Sequence, residues 1–158
     1  MIDSLQMADA PATLRAAGLR VTAPRLAVLA AARAGNHSTV GEIEAAAREQ
    51  LGSISTQAVY DVLAALAIAG LVRRIEPAGS PARFETRVGD NHHHVVCRSC
   101  GAVADITCAS GEAPCLQPSE SRGFLIDQAD VTYWGTCPEC QLSAARGVHA
   151  TNRQGAEQ

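Results

Sequence analysis

Six cysteines, five histidines and a set of carboxylates carry the chemistry open to this chain. Their spacing sorts them into two groups. Cys97-Arg98-Ser99-Cys100 and Cys137-Pro138-Glu139-Cys140 are two Cys-x-x-Cys pairs. Two intervening residues let both thiolates of a pair face one ion at about 2.3 Å, and tetrahedral Zn2+ takes four such ligands. Gly101 suits a tight turn after the first pair. The 36 residues between the pairs exceed the spacing of compact zinc modules, so a folded excursion must fill the gap. Two disulfides are one competing reading, opposed by a reducing compartment. A thioredoxin-like dithiol is another, opposed by Cys97 leading through Gly101 into more strand. With protein filling all four positions, the expected site is a closed, structural Zn2+ whose binding energy is folding energy.

The second group gathers around His92-His93-His94. In an extended segment, His92 and His94 face one side and His93 the other. Glu85 stands on the preceding strand, Asp105 after the first Cys pair, and His37 between two helices. Mixed nitrogen and oxygen donors suit Fe2+, Mn2+ or Zn2+. A solvated, His-rich hinge is the other reading, and spacing alone leaves both open. Cys108 and Cys115 lie outside the two pairs. They read either as thiols for redox chemistry or as small apolar filler.

The elements that must position these groups begin with helices. Arg25–Ala34 follows Pro24, a good first helical residue, and places Leu26, Leu29 and Ala30 on one stripe. Thr39 with Glu42 forms a capping box for a helix running to Leu51, striped by Val40, Ile43, Ala46 and Ala47 and ended by Gly52. Ser55 caps a third helix with Val59, Val62, Leu63 and Leu66 at i, i+3, i+4 and i+7. Gly70 suits a left-handed C-terminal cap. Leu71–Glu76 and Ala82–Arg87 read as strands around a Pro77–Pro81 turn. Three helices and a hairpin make a winged helix-turn-helix. Residues 88–94 read as a polar hinge. Val95–Val96, Ala102–Ile106, Phe124–Ile126 and Val131–Tyr133 are short apolar runs of a small sheet. Cys108–Arg122 reads as loop or poor helix.

The fold class expected is therefore α+β. Residues 1–88 form a winged-helix domain, 89–142 a metal-binding α/β domain, and 143–158 a disordered tail.

Composition narrows the class. Hydrophobic residues make up 47% of 158, but aromatics only 3%. Ala-rich helices bury modest area each, so a structural metal or a dimer interface is expected to supplement the core. Net charge is -3, with nine Arg against nine acids in residues 1–90 and four against seven in 91–158. That argues against general polyanion binding and leaves site-specific contact by a few Arg. Met1–Ala12 lacks the basic and apolar regions of a signal peptide, and no run approaches a membrane span, so a cytoplasmic location is expected.

His92-His93-His94-Val95-Val96-Cys97-Arg98-Ser99-Cys100-Gly101 resembles the signature of the ferric uptake regulator (Fur) family. Ala58-Val59-Tyr60-Asp61-Val62-Leu63 resembles its recognition-helix motif, and Gly18-Leu19-Arg20-Val21-Thr22-Ala23-Pro24-Arg25 its N-terminal motif. Gln57–Leu63, Val88–Asn91, Gly111–Cys115 and Tyr133–Gly135 are similar to the family's actinobacterial FurA/CatR branch. The resemblance covers about Leu14–Cys140. It implies a winged helix hinged to a dimerisation domain, with Cys97, Cys100, Cys137 and Cys140 on structural zinc. His37, Glu85, His92, His94 and Asp105 would hold a regulatory ion, Fe2+ or Mn2+, with Zn2+ as an alternative. Asn91 and Ala129 replace histidines of a further site found in many members. Glu85 stands where the peroxide-sensing branch has Asp.

The function so implied is a homodimeric, metal-dependent repressor of operator DNA responding to iron or peroxide, controlling a catalase-peroxidase and its own gene, and not an enzyme. A recognition helix enters the major groove by its N-terminal turns. Ser55, Thr56, Gln57 and Tyr60 are therefore base-edge candidates, with Gln57 matched to adenine. Arg15, Arg20, Arg25 and the wing residues Arg73, Arg74 and Arg83 are candidates for phosphate or the minor groove. Asp61 is expected to face away from DNA or to pair with an Arg. Peroxide would act at His37 or His92, or at Cys108 or Cys115. A zinc-responsive regulator, a purely iron-uptake regulator and a Cys-x-x-Cys thiol oxidoreductase are the competing functions.

Overall fold

The computed structural model describes residues 10–90, 92–107, 118–126 and 129–151. The chain divides into two compact units, Met1–Asp90 and Asn91–Gln158. The first unit carries α1 (Ala10–Ala16), α2 (Ala23–Gly35), β1 (Ser38–Thr39), α3 (Val40–Leu51), α4 (Thr56–Ile68), β2 (Arg73–Ile75) and β3 (Arg83–Glu85).

Local signals account for most of these bounds. Pro stands in the first turn of α2, where its missing N–H and fixed φ cost nothing. Thr39 and Glu42 form the expected reciprocal capping box on α3, and the Ser55 hydroxyl accepts from the Ala58 N–H at the start of α4. Gly70 has φ +68°, and the Leu71 N–H reaches back to the Leu66 carbonyl. That is a Schellman cap, which needs the left-handed residue that glycine supplies.

Helix α2 is more deeply buried than its stripe predicts, because every residue from Ala27 to Ala32 is buried. Alanines let neighbouring backbones close around it. Leu29, Ile43, Val59, Leu63, Leu66 and Phe84 pack the same core. Each such large side chain contributes roughly 1.5–3 kcal/mol of burial. Helix α1 and the two-residue strand β1 are elements the sequence reading did not contain. β1 joins β3, giving a sheet of order β1-β3-β2. The strands β2 and β3 are shorter than the runs expected.

The second unit carries β4 (His92–Cys97), β5 (Val103–Thr107), β6 (Thr132–Gly135) and α5 (Pro138–Thr151). β4 is central, with β5 antiparallel on one side and β6 parallel on the other. The expected hinge over 88–94 is corrected in part: the unit boundary falls at Asp90 and Asn91, but the histidine run is the first half of a buried central strand. Phe124–Ile126 forms no strand. The disordered tail is also corrected in part, since α5 continues to Thr151. Glu139 favours its first turn, and the Ser143 hydroxyl donates to the Glu139 carbonyl. Residues 152–158 lie outside the described residues. Among the described residues no single helix is long and apolar enough to cross a membrane.

Candidate metal centres and nucleic-acid interface

Strand register assembles the cysteine quartet. In the parallel pairing Cys97 lies opposite Gly135, so Cys137, two residues on, comes level with the first pair. The Arg98 N–H donates to the Gly135 carbonyl and fixes that junction. Gly101, at φ +72°, turns the chain back so that the Cys97 and Ala102 backbones pair. Cys140 stands one turn into α5, on the same side as Cys137. The four Sγ atoms lie within 4.8 Å of one another. Cys100 Sγ and Cys137 Sγ are 3.7 Å apart, close to the edge of about 3.8 Å that four sulfurs make around tetrahedral Zn2+.

The electrostatics also fit a metal. The Cys137 amide N–H donates to Cys97 Sγ at 3.3 Å. With further help from the Cys100 and Ser99 amides, it pulls the Cys97 pKa down to about 6. Cys140 is pushed up to about 12, first by the Cys137 sulfur and then by Cys100. Four sulfurs this close cannot all carry charge without a cation among them, and a bound cation deprotonates its thiols outright. The quartet thus suits a structural Zn2+.

The remaining donors fall on both units. In the first, α2 ends in two non-glycine residues with positive φ, Asn36 at 36° and His37 at 65°. Such conformations cost on the order of 1 kcal/mol or more and persist where the surroundings enforce them. The turn brings His37 Nε2 to 3.1 Å from Glu85 Oε2. Phe84 enters the core, so strand alternation sends Arg83 and Glu85 to the other face. Glu85 is fully buried. Arg73, its direct partner across β2–β3, approaches Glu85 Oε1 at 3.6 Å. The Arg83 guanidinium donates to the His37 carbonyl at 3.0 Å.

In the second unit, β4 alternation puts His92 and His94 on one face, with ring centroids 4.9 Å apart. Asp105 lies opposite His94 and diagonal to His92. Its Oδ1 is 3.7 Å from His94 Nε2 and 3.9 Å from His92 Nε2. These separations exceed a hydrogen bond and fall in the range spanned by two ligands of one ion. Two imidazoles and a carboxylate on one sheet face fit Fe2+, Mn2+ or Zn2+. His93 points to the opposite face, its ring 6.5 Å from that of Tyr133.

The recognition-helix candidates occupy the start of α4, which crosses α3 at 106°, as in a helix-turn-helix. Ser55, Thr56, Gln57 and Tyr60 are all exposed. Ser55 is spent on the cap. Thr56 donates to Glu44 at 2.9 Å, a partner that only the α3–α4 crossing reveals. Asp61 pairs with the Gln57 amide at 2.8 Å, not with an Arg. Arg15 and Arg20 are exposed. Arg25 donates to the Arg20 carbonyl at 2.9 Å, and Arg74 pairs with Glu76. Arg73 and Arg83, the other wing candidates, are half-buried, and Arg73 approaches Glu85 while Arg83 reaches the His37 carbonyl. Cys108 and Cys115 lie outside the described residues.

A helix-turn-helix with a hairpin wing, followed by a thiolate-bearing sheet unit, defines a winged-helix protein of metal-regulator architecture. The sequence profile of the "Ferric uptake regulator family" matches residues 16–134, and the chain belongs to that family. It is 59% identical over 136 residues to "Transcriptional regulator FurA" of Mycobacterium tuberculosis, covering 86% of this chain and 92% of that protein. It is 30% identical over 142 residues to "Peroxide-responsive repressor PerR" of Staphylococcus aureus, covering 86% and 92%. The solved ferric uptake regulator of Pseudomonas aeruginosa with manganese aligns with a TM-score of 0.64 at 29% identity, over 82% of this chain and 98% of that one. Members of this family are regulators rather than enzymes.

Proposed function

We propose that this protein is a cytoplasmic, homodimeric repressor that binds operator double-stranded DNA when a regulatory divalent ion is seated, and that iron or peroxide sets that occupancy. His37 and Glu85 of the first unit and His92, His94 and Asp105 of the second hold the ion, Fe2+ or Mn2+ with Zn2+ as competitor. The observation that carries the reading is the division of the donors. Each unit presents an incomplete nitrogen and oxygen set.

Donors on two units, drawn to one ion, tie those units at one angle. The paired recognition helices of a dimer reach successive major grooves at one spacing only. The coupling equals the preference of the ion for the DNA-competent arrangement. Gln57 and Tyr60 read base edges while Arg15, Arg20, Arg25 and Arg74 meet phosphates. Iron, when bound, supplies the peroxide chemistry. His37 and His92 are the imidazoles exposed to it, and the Cys108 and Cys115 thiols are the alternative targets. A catalase-peroxidase gene and the protein's own gene are the regulated loci.

The test is a footprint on the protein's own upstream DNA, using zinc-loaded protein with and without added Fe2+, Mn2+ or excess Zn2+, before and after peroxide. Protection that depends on the added ion is expected, and peroxide should abolish the iron arm. Equal protection without the ion overturns the switch. Protection in the zinc arm alone marks a zinc-responsive regulator. Mass spectrometry of the treated protein then reads +16 Da on histidine peptides or modified Cys108 and Cys115.

A further inference from the structure

We infer that Arg73 is the counter-ion that sets the metal affinity of the His37–Glu85 donors. It neutralises Glu85 in the ion-free protein and competes with an ion for that carboxylate. The inference rests on the reading of Glu85 as a ligand.

Each oxygen of the Glu85 carboxylate has a titratable or charged neighbour. Oε2 faces His37 Nε2 at 3.1 Å, and Oε1 faces Arg73 Nε at 3.6 Å. Arg73 and Glu85 are direct cross-strand partners in the β2–β3 register, so their side chains share one face at close range. The Glu85 side chain is fully buried, and that of Arg73 is only 21% exposed. A buried carboxylate without a compensating charge is strongly unfavourable. Arg83, on the same strand face, donates Nη1 to the His37 carbonyl. An ion drawn to His37 Nε2 and Glu85 Oε2 meets a guanidinium on the same carboxylate. Like charges at that range repel substantially where water is excluded. Arg73 therefore stabilises the ion-free protein and weakens ion binding.

The experiment titrates Mn2+ into zinc-loaded protein and follows free Mn2+ by electron paramagnetic resonance, with thermal unfolding measured in parallel. Arg73→Met should bind Mn2+ about tenfold more tightly than the parent, the scale on which residues behind a ligand act. Without Mn2+ it should melt at a lower temperature, and Mn2+ should restore much of the loss. Arg73→Lys, which keeps the charge, should bind near the parent affinity and guards against a folding defect in the methionine variant. Unchanged or weaker Mn2+ binding by Arg73→Met overturns the inference, provided Glu85→Ala has lost the site. If Glu85→Ala binds Mn2+ as the parent does, the ligand reading itself fails, a result distinct from failure of the Arg73 role.

Discussion

The thiolate quartet and the nitrogen and oxygen donors are built on opposite plans. All four sulfurs belong to one unit, brought together by one parallel strand register and one helix start. A site completed locally, with soft ligands and no open position, acts as a staple for the unit that holds it. The other donors are split. His37 and Glu85 stand on the first unit, and His92, His94 and Asp105 on the second. Neither subset fills a coordination sphere. Under the proposed function, an ion that draws on both subsets biases the DNA-competent form, which a staple cannot do. Ligand softness reinforces the contrast, because thiolates hold zinc while imidazole and carboxylate admit several exchangeable ions.

The contrast breaks most visibly at the quartet. Cys97→Ser removes the sulfur that receives the Cys137 amide. Structural zinc sites contribute on the order of 10 kcal/mol to folding, so the variant should lose its zinc and the second unit should unfold. Zinc content and circular dichroism measure this, and a zinc-free variant with an intact second unit would show that the quartet is no staple. His92→Ala should act differently. Zinc content should stay near that of the parent and unfolding should remain cooperative, though at a lower temperature because a buried side chain is truncated. Ion-dependent operator binding should fall by a hundredfold or more, as expected when an ion must discriminate strongly between two arrangements. Gel-shift titrations with and without Mn2+ separate the effects, and an unaltered Mn2+ response would remove His92 from the switch.

A smaller change is expected where the first unit meets DNA. Gln57→Ala should cost about 1–3 kcal/mol of operator affinity and relax preference at one base position, measured by competition among single-base operator variants. Neither metal content should change. Uniform weakening across all variants would instead place Gln57 on the phosphate backbone.

Features legible in the sequence are those fixed within one or two turns of chain. The Thr39–Glu42 capping box, the Ser55 cap, the Gly70 stop and the α3 and α4 stripes depend on neighbours a few residues away, and all stand as read. Each Cys-x-x-Cys pair is equally local. What spacing could not supply is register. Three consecutive histidines look like a solvated hinge, yet they form buried central strand because β5 and β6 flank them. Arg73 and Arg83 look like wing charges alone, and only the β2–β3 pairing shows that they also meet Glu85 and the His37 carbonyl. β1 is two residues long, too short to show any period. Helix α5 went unread because Ser, Gly and Ala, a composition shared by weak helices and tails, fill its span past residue 142.

The smallest effect tests whether the split donors depend on how His37 is held. Thr39 lies two residues after His37 and ends β1. Its backbone N–H and hydroxyl both donate to Glu42 Oε2, at 2.7 and 2.8 Å, and its hydroxyl accepts from the Glu42 N–H at 3.3 Å. Thr39→Ala should cost about 1 kcal/mol, lowering the unfolding temperature of the first unit by roughly 4–8 °C while zinc content stays constant. The pH dependence has a defined sign. The Thr39 backbone N–H, then its hydroxyl, hold the Glu42 carboxyl below its ordinary 4.5. A depressed carboxyl contributes stability that is full above its ordinary value and is lost as pH falls through the folded one. The melting difference between parent and Glu42→Gln should therefore be constant from pH 7 down to about 5 and shrink in more acid solution. If Thr39→Ala also weakens Mn2+ binding while zinc is untouched, the two centres differ in a further respect. One then depends on the backbone that carries its donors, and the other is insulated from it. Equal sensitivity of both centres to this single cap would erase that distinction.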